Sequence, residues 1–216
     1  MSGTKWLGYN VKFELPVKYI NLNEEFGGIN PKIEYYIRKT GDMMNHVSNV
    51  KASMTDWDSH EKNSHINAIA KKALFLCQDG MKAKYPLEIA DCWGALYTKG
   101  EHTVEHHHWP FTWSFTYYVK VSKNTAPLIF HNLLNPQSKE FENMPVYPKK
   151  GDMFHNILNP EKEFVNMPIQ PKKGDMFIFP STLRHSVPEQ ESDEERIMVA
   201  GNIWYNFNST YNPNTK

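Results

Sequence analysis

The spacing of hydrophobic and polar residues changes character near residue 86. Before that point, apolar residues recur at helical spacing. They predict one helix that starts at Asn30-Pro31 and ends before Gly41, and a second that starts at Ser64 and ends before Asp79-Gly80. Residues 9–22 alternate as in a strand, with an interruption at Pro16. These early helices are expected to pack on one face of a sheet.

After residue 86 the chain becomes a series of short runs rich in β-branched and aromatic residues, separated by Gly, Pro, Asn and Asp. Such runs are typical of antiparallel strands in a sandwich or jelly roll. The fold class predicted from this pattern is therefore mainly β. The runs are LEIADCWGALYTKG, TWSFTYYVKVS, APLIFHNLL, GDMFIFP and ERIMVAGNIWYN.

The length of 216 residues suits a single domain, with residues 1–85 supporting a core formed by residues 86–210. Within this core, residues 131–154 are nearly repeated at 155–177 with one residue deleted. Two copies are too few for a solenoid. We expect one copy to occupy a place in the barrel, while the other loops out as an extra hairpin or pairs with a neighbouring subunit, which makes a homodimer one arrangement to test.

Charge and cysteine content narrow the class of protein. The chain has 24 basic and 24 acidic residues and no basic stripe, so nucleic acid is not an expected partner. No apolar run approaches the ~20 residues that cross a bilayer. Cys77 and Cys92 lack a CxxC spacing and are expected to be reduced, buried thiols. The expected compartment is the cytoplasm.

Three consecutive histidines, His106 to His108, stand before Trp109-Pro110. On an extended strand His106 and His108 share a face, and His107 points away. A second segment, GDMFIFPSTLRHSV, places His185 after a turn, an apolar strand and a proline. Imidazole nitrogens that leave a coordination position open are what a first-row metal needs for oxygen or hydrolytic chemistry. The sequence therefore predicts one metal ion held by His106, His108 and His185.

Arg196 follows on the strand RIMVAGNIWYN and shares a face with Met198, Ala200 and Asn202. A guanidinium deep in a barrel needs an anionic partner. One interpretation is a salt bridge to a nearby carboxylate. The other is a bidentate clamp on the carboxylate of a small organic acid. The carboxylates considered are Glu191, Asp193, Glu194 and Glu195.

Several of these motifs, in this order, resemble the Fe(II) and 2-oxoglutarate dependent oxygenases. The closest likeness is to a small prolyl-hydroxylase-like group of phages and marine bacteria. For a protein encoded by a phage, the expected compartment would be the cytoplasm of the host. The likeness covers residues 86–206, and NVKASMTDW at 49–57 also resembles that group. The motifs are Trp93-x-x-x-Tyr97-x-x-Gly100, His106-x-His108, SFTYYV at 114–119, GDMFIFPSTLRH at 174–185, and Arg196 followed by NIWYN.

The resemblance implies a double-stranded β-helix (jelly roll, cupin-like) with Fe(II), 2-oxoglutarate and O₂ as cofactors. By position, His106, His108 and His185 would hold the iron. Arg196 and Tyr117 would bind the distal carboxylate of 2-oxoglutarate, with Tyr97 as a second cofactor-facing tyrosine. The implied reaction gives succinate and CO₂ and hydroxylates a small-molecule or peptide substrate. Aromatic residues would exclude water from the site, and they are Trp93, Trp109, Trp113 and Phe115.

One residue departs from the family pattern, because His108 stands where the family has Asp or Glu. Glu105 is a poor substitute, since strand alternation places it on the opposite face. A cupin-type dioxygenase or isomerase is the strongest alternative, sharing the barrel and the metal but leaving Arg196 unexplained. A non-catalytic binding module on the same barrel is the other.

Overall fold

The computed structural model describes residues 17–42, 48–80, 85–131 and 166–206, which form two antiparallel sheets and a layer of helices. The strands are β1 Lys18–Asn21, β2 Val50–Lys51, β3 Ser53–Met54, β4 Leu87–Tyr97, β5 His102–His106, β6 Trp113–Lys120, β7 Leu128–His131, β8 Asn166–Ile169, β9 Asp175–Pro180, β10 His185–Val187 and β11 Arg196–Tyr205. The first sheet has the order β1-β9-β6-β11-β4-β3, and the second has the order β2-β5-β10-β7-β8.

A core of apolar side chains lies between the two sheets. Tyr118 and Phe177 enter it from the six-stranded sheet, and Phe130 and Met167 enter it from the five-stranded sheet. Neighbouring strands within each sheet run antiparallel. This arrangement of two facing antiparallel sheets confirms the predicted jelly-roll class.

The helices cover the outer face of the six-stranded sheet and form a second core with it. They are α1 Asn23–Phe26, α2 Asn30–Thr40, α3 Ser59–Lys62 and α4 Ser64–Gly80. Ile33 and Ile37 of α2 are fully buried in this core, together with Ile66 and Ile69 of α4. A Cβ at Gly94 of β4 would lie 2.4 Å from the side chain of Ile37. Glycine therefore lets α2 pack closely on the sheet.

Most sequence-predicted elements are present. Helix α2 begins at Asn30 and is followed by Gly41, as expected, whereas α4 extends through Asp79 and Gly80 instead of ending before them. The five apolar runs after residue 86 form β4, β6, β7, β9 and β11. Strand β1 occupies residues 18–21 of the predicted 9–22 segment, and residues 1–16 lie outside the described part of the chain.

The duplicated segment is described in part. Residues 166–177 of the second copy form β8 and the start of β9, so this part of the second copy belongs to the barrel. Gly174, with φ at +85°, makes the turn between these strands, a conformation that favours glycine. Residues 132–165 lie outside the described residues. The expected hairpin or subunit contact of the first copy thus stays a prediction, as does the single-domain division.

Both cysteines are buried free thiols, as predicted. Burial raises the pKa of the Cys77 thiol to about 12, so this group stays protonated and unreactive at neutral pH. Among the helices of the described ranges, none combines the length and the apolar character that crossing a bilayer requires.

Candidate metal centre

Strand pairing brings the predicted metal ligands together. His106 at the end of β5 lies directly opposite His185 at the start of β10. His108 follows two residues after β5 ends, and its ring turns toward the same point. The Nε2 atom of His108 is 3.1 Å from Nε2 of His106 and 3.3 Å from Nε2 of His185. Ligand atoms of all three residues lie within 4.8 Å of one another.

Two of the three rings have a fixed tautomer. The Nδ1–H of His106 donates to the carbonyl of Val104 at 2.7 Å, and the Nδ1–H of His185 donates to the carbonyl of Leu183 at 3.0 Å. Because a carbonyl oxygen can only accept, the proton sits on Nδ1 in both rings. Their Nε2 atoms therefore present lone pairs to the shared point, which is the tautomer a metal ligand requires.

Burial keeps the three imidazoles neutral. The pKa of His106 is lowered chiefly by burial, and burial together with the neighbouring His106 lowers the pKa of His108 to about 3. His185 is 6% exposed, and burial holds its pKa well below the ordinary value. Neutral imidazole is the form that coordinates metals, so burial favours the metal-binding form of all three rings.

The spacing of the nitrogens fits a divalent metal. Metal–nitrogen bonds of about 2.1 Å at angles of about 90 to 110° place two ligand nitrogens about 3.0 to 3.4 Å apart. The two Nε2–Nε2 distances at His108 fall in that range. Without a cation, the lone pairs of His106 and His185 would both face His108, which has at most one Nε2 proton to share. The donor set therefore fits a metal ion.

Arg196 lies on the inner face of β11 and is completely buried. Its Nη1 donates to the carbonyl of Ala126 at 3.0 Å, and its Nη2 donates to the hydroxyl of Tyr118 at 3.2 Å. Its Nε–H is buried, and no hydrogen-bond partner for it is found in the described part of the chain. Within the described ranges no carboxylate pairs with this guanidinium. An internal cation without a counter-ion is expensive, so the cavity needs an anion at this place.

The salt-bridge interpretation of Arg196 is wrong for the carboxylates whose contacts are described. Glu195 pairs with Arg38 and Lys120 on the outside of the molecule. Asp193 pairs with Lys99 in solvent. These side chains leave the barrel because β11 begins at Arg196, and the acidic residues before it lie in the exposed loop.

One cavity joins the histidines to Arg196. Its volume, including the part open to solvent, is about 410 Å³. The three histidines and Arg196 line it, and Met198 and Ala200 contribute the β11 face predicted from alternation. The imidazole cluster and the guanidinium therefore face the same cavity.

The structure corrects the tyrosine assignment. Tyr117 was expected near the anion, but its ring packs in the core beneath the helices and its hydroxyl donates to Asn30 Oδ1 at 3.0 Å. Tyr118 occupies the inner face instead, with its ring centroid 5.1 Å from the guanidinium carbon of Arg196. Tyr97 faces the cavity as expected, also 5.1 Å from that carbon, and its hydroxyl pairs with Thr103.

The sequence contained a signal for Tyr118. Ser114 and Thr116 share its parity on β6 and line the cavity, whereas Val119 shares the parity of Tyr117 and packs under the helices. Phe115 has the parity of Tyr117 and belongs to the core under the helices, although it also borders the cavity. A run of polar side chains at one parity thus marks the inner face of this strand. Because Tyr117 and Tyr118 are adjacent, the signal is evident only when the odd-numbered and even-numbered positions of the whole strand are compared.

The aromatic lining is smaller than expected. Trp93 is buried, and its ring lies 5.9 Å from that of His108. Trp113 instead packs against the core beneath the helices, and Trp109 is 69% exposed. Phe115 belongs to that core but also lines the cavity, as expected. Glu105 forms an ion pair with Arg184 at the surface, consistent with its expected position away from the metal ligands.

Comparison with protein families gives one match. The model of a 2OG-Fe(II) oxygenase family matches residues 91–202, more than half of the chain. This span contains all three histidines and Arg196. The match favours the oxygenase over the two alternatives, the cupin and the non-catalytic module, because the family consists of oxidoreductases that use Fe(II), 2-oxoglutarate and O₂. No protein of curated function matches the sequence.

Solved structures share the fold at low identity. The 2-oxoglutarate dependent epimerase SnoN from nogalamycin biosynthesis is 11% identical with a TM-score of 0.62, covering 88% of this chain and 79% of its own. The collagen prolyl hydroxylase of Paramecium bursaria Chlorella virus-1 is 16% identical with a TM-score of 0.54, covering 87% and 94%. HygX from Streptomyces hygroscopicus, bound to nickel and 2-oxoglutarate, is 10% identical with a TM-score of 0.59, covering 89% and 83%. At such identities the likeness concerns the fold.

Proposed function

This chain belongs to the 2OG-Fe(II) oxygenase family, and from that membership we propose that it oxidises a C–H bond of a small molecule or peptide, with one Fe(II) held by His106, His108 and His185. When bound, iron and 2-oxoglutarate supply the activation of O₂, with succinate and CO₂ as the by-products. The residues of the chain bind, orient and shield these groups.

One observation carries the proposal. The cavity that holds three converging imidazole nitrogens also holds a buried guanidinium to which the described residues offer no counter-ion. Neutral nitrogen donors at one place and an unneutralised cation at another suit a ligand with two acidic ends. 2-Oxoglutarate has a carboxylate at each end and a keto group beside one of them.

Arg196 is the residue that would bind the distal carboxylate. Its Nε–H is available, and its fork can donate two parallel hydrogen bonds to a carboxylate. The Tyr118 hydroxyl accepts a hydrogen bond from Nη2 at 3.2 Å, and in this proposal it donates its own proton to the same carboxylate. Tyr97 closes the other side of the guanidinium with its ring face, a contact that keeps the charge oriented without neutralising it.

His108 changes the charge of the centre relative to the family pattern. With Asp or Glu at that place, one ligand would be anionic. Three neutral imidazoles instead leave the full charge of the divalent metal, and Arg196 adds one more positive charge in the same cavity. A dianion such as 2-oxoglutarate compensates most of this charge, so we expect cofactor binding to be favoured in this chain despite the missing carboxylate.

The substrate class rests on the fold neighbours and on the open cavity. The neighbours include an epimerase of antibiotic biosynthesis and a collagen prolyl hydroxylase, so this fold accommodates both small molecules and peptides. The partly open cavity gives either kind of substrate access to the metal. A homodimer stays a prediction.

The test is anaerobic addition of 2-oxoglutarate to the Fe(II) protein. We expect a visible metal-to-ligand charge-transfer band, followed by succinate formation when O₂ is admitted. His185→Ala should abolish both, and His107→Ala should keep both, because the His107 ring is exposed and bonds the main chain of Trp109. An Fe(II)-loaded wild-type protein that gives neither band nor succinate would refute the proposed function.

A further inference from the structure

A row of buried hydrogen bonds runs across the mouth of the barrel, from β4 to the loop after β9. Asn202 Nδ2 donates to Asp91 Oδ1 at 2.8 Å. Ser114 Oγ donates to Asn202 Oδ1 at 2.7 Å, and the hydroxyls of Ser114 and Ser181 are 2.8 Å apart. Ser114, Asn202 and Ser181 are each at most 2% exposed.

The direction of these bonds is determined. A serine hydroxyl has one proton, and that of Ser114 is used on Asn202. The proton between the two serines must therefore come from Ser181. Every donor points toward Asp91, which accepts at the end of the row. Each hydrogen bond in the row thus has one donor and one acceptor. Removal of one side chain leaves a buried polar atom of its neighbour without that partner.

The row ends at the backbone that holds His108. The main-chain N–H of His108 donates to the carbonyl of Ser181 at 2.7 Å. This bond matters because His108 lies beyond the end of β5, where no strand partner fixes it. His106 and His185 are also fixed by their own Nδ1–H bonds, whereas no partner of His108 Nδ1 is found in the part of the chain that the structure describes.

The same loop also supports His185. Leu183, two residues after Ser181, donates its N–H to the carbonyl of Pro180 at 2.9 Å. Its own carbonyl accepts the Nδ1–H of His185. A shift of Ser181 would therefore move His108 relative to His185, whose Nε2 atoms are 3.3 Å apart.

We propose that Asp91, Asn202 and Ser114 are positioning residues that set the spacing of His108 from His185 by holding Ser181 in place. This inference rests on the proposed metal site. It assigns these polar side chains, buried at the barrel mouth, a role in metal affinity and coordination geometry, beyond their contribution to stability.

The test measures Co(II) binding to the full chain by titration and by the visible spectrum of the bound ion. Ser114→Ala and Asp91→Leu break the row at two places, and each should weaken Co(II) affinity at least tenfold, as loss of a supporting hydrogen bond does at metal sites, and change the Co(II) bands. Asp91→Asn keeps an acceptor oxygen for Asn202 and should bind like wild type.

Ser59→Ala is the matched control. Ser59 is fully buried, and its hydroxyl pairs with Thr55 at 2.7 Å, outside the metal site. This variant should lose comparable stability in urea but keep the wild-type affinity and spectrum. Should Ser114→Ala not fold, Ser181→Ala breaks the row one step closer to His108 and serves in its place.

The outcomes separate the two proposals. A wild-type protein that does not bind Co(II) would refute the metal site, and this inference with it. Wild-type binding with unchanged affinity and spectrum in Ser114→Ala and Asp91→Leu would refute the positioning role alone. Equal losses in Ser59→Ala would also refute it, because the effect would then be general destabilisation.

Discussion

Replacing Arg196 by methionine separates a cofactor-binding role from a structural one. The substitution keeps a long side chain in the core but removes the charge and three hydrogen bonds, to the Ala126 carbonyl, the Tyr118 hydroxyl and the Met198 sulfur. Each such bond contributes about 0.5–1.5 kcal/mol net. Removal of a buried charge that has no counter-ion among the described residues offsets this cost, since hydrophobic replacement of buried charges is often neutral or stabilising. We therefore expect the free energy of unfolding of the metal-free protein to change by less than about 2 kcal/mol.

The effect on 2-oxoglutarate should be larger. Truncating one partner of a buried, hydrogen-bonded charge pair costs about 2–5 kcal/mol, or roughly 30- to 5000-fold in the dissociation constant. Urea unfolding of the metal-free protein gives the first quantity. Calorimetric titration of the anaerobic Fe(II) protein with 2-oxoglutarate gives the second. If Arg196→Met lost more than about 4 kcal/mol of stability while 2-oxoglutarate affinity changed less than threefold, Arg196 would be structural and the reasoning would be wrong.

Two further predictions follow from the contacts of single residues. Tyr118→Phe should weaken 2-oxoglutarate binding by about 2- to 13-fold in the same calorimetric titration. Tyr117→Phe loses its hydrogen bond to Asn30 and should leave that affinity unchanged. A loss of affinity in Tyr117→Phe but not in Tyr118→Phe would restore the sequence-based assignment. Burial raises the pKa of the Asp91 carboxyl from 3.8 to about 6, so its stabilising contribution is full below pH 3.8 and is lost as pH rises through 6. Asp91→Asn should therefore be more stable than wild type at pH 7.5, by at most about 3 kcal/mol in urea unfolding. This difference in stability should vanish near pH 4. A difference that does not depend on pH would contradict the prediction.

The sequence predicted the ligand set but not all of its geometry. The spacing of His106 and His108 placed both at one site, and the structure brings them to His185. Strand alternation explains only part of how His108 reaches the site. Strand β5 ends at His106, and the main chain of His108 is held by the carbonyl of Ser181, a residue distant in sequence. Such a contact depends on how loops meet in three dimensions, and alternation along one strand carries no information about it.

The same limit explains the tyrosine error. Which of two adjacent residues faces a barrel depends on the register of the whole strand, and a shift of one residue exchanges Tyr117 and Tyr118. The short strands β2, β3, β8 and β10 were also missed, because runs of two to four residues contain too few positions to show a period. By contrast, α2 was found at both ends because Pro31 and Gly41 mark its start and its termination.

The central claim is that three imidazoles, from two distant parts of the chain, hold one metal ion. Equilibrium dialysis against anaerobic Fe(II), followed by metal analysis, tests it directly. The account predicts one iron per wild-type chain, loss of that iron in His106→Ala and His185→Ala, and retention in His107→Ala. A wild-type chain without stoichiometric iron, or a His107→Ala variant that loses as much iron as His185→Ala, would contradict it.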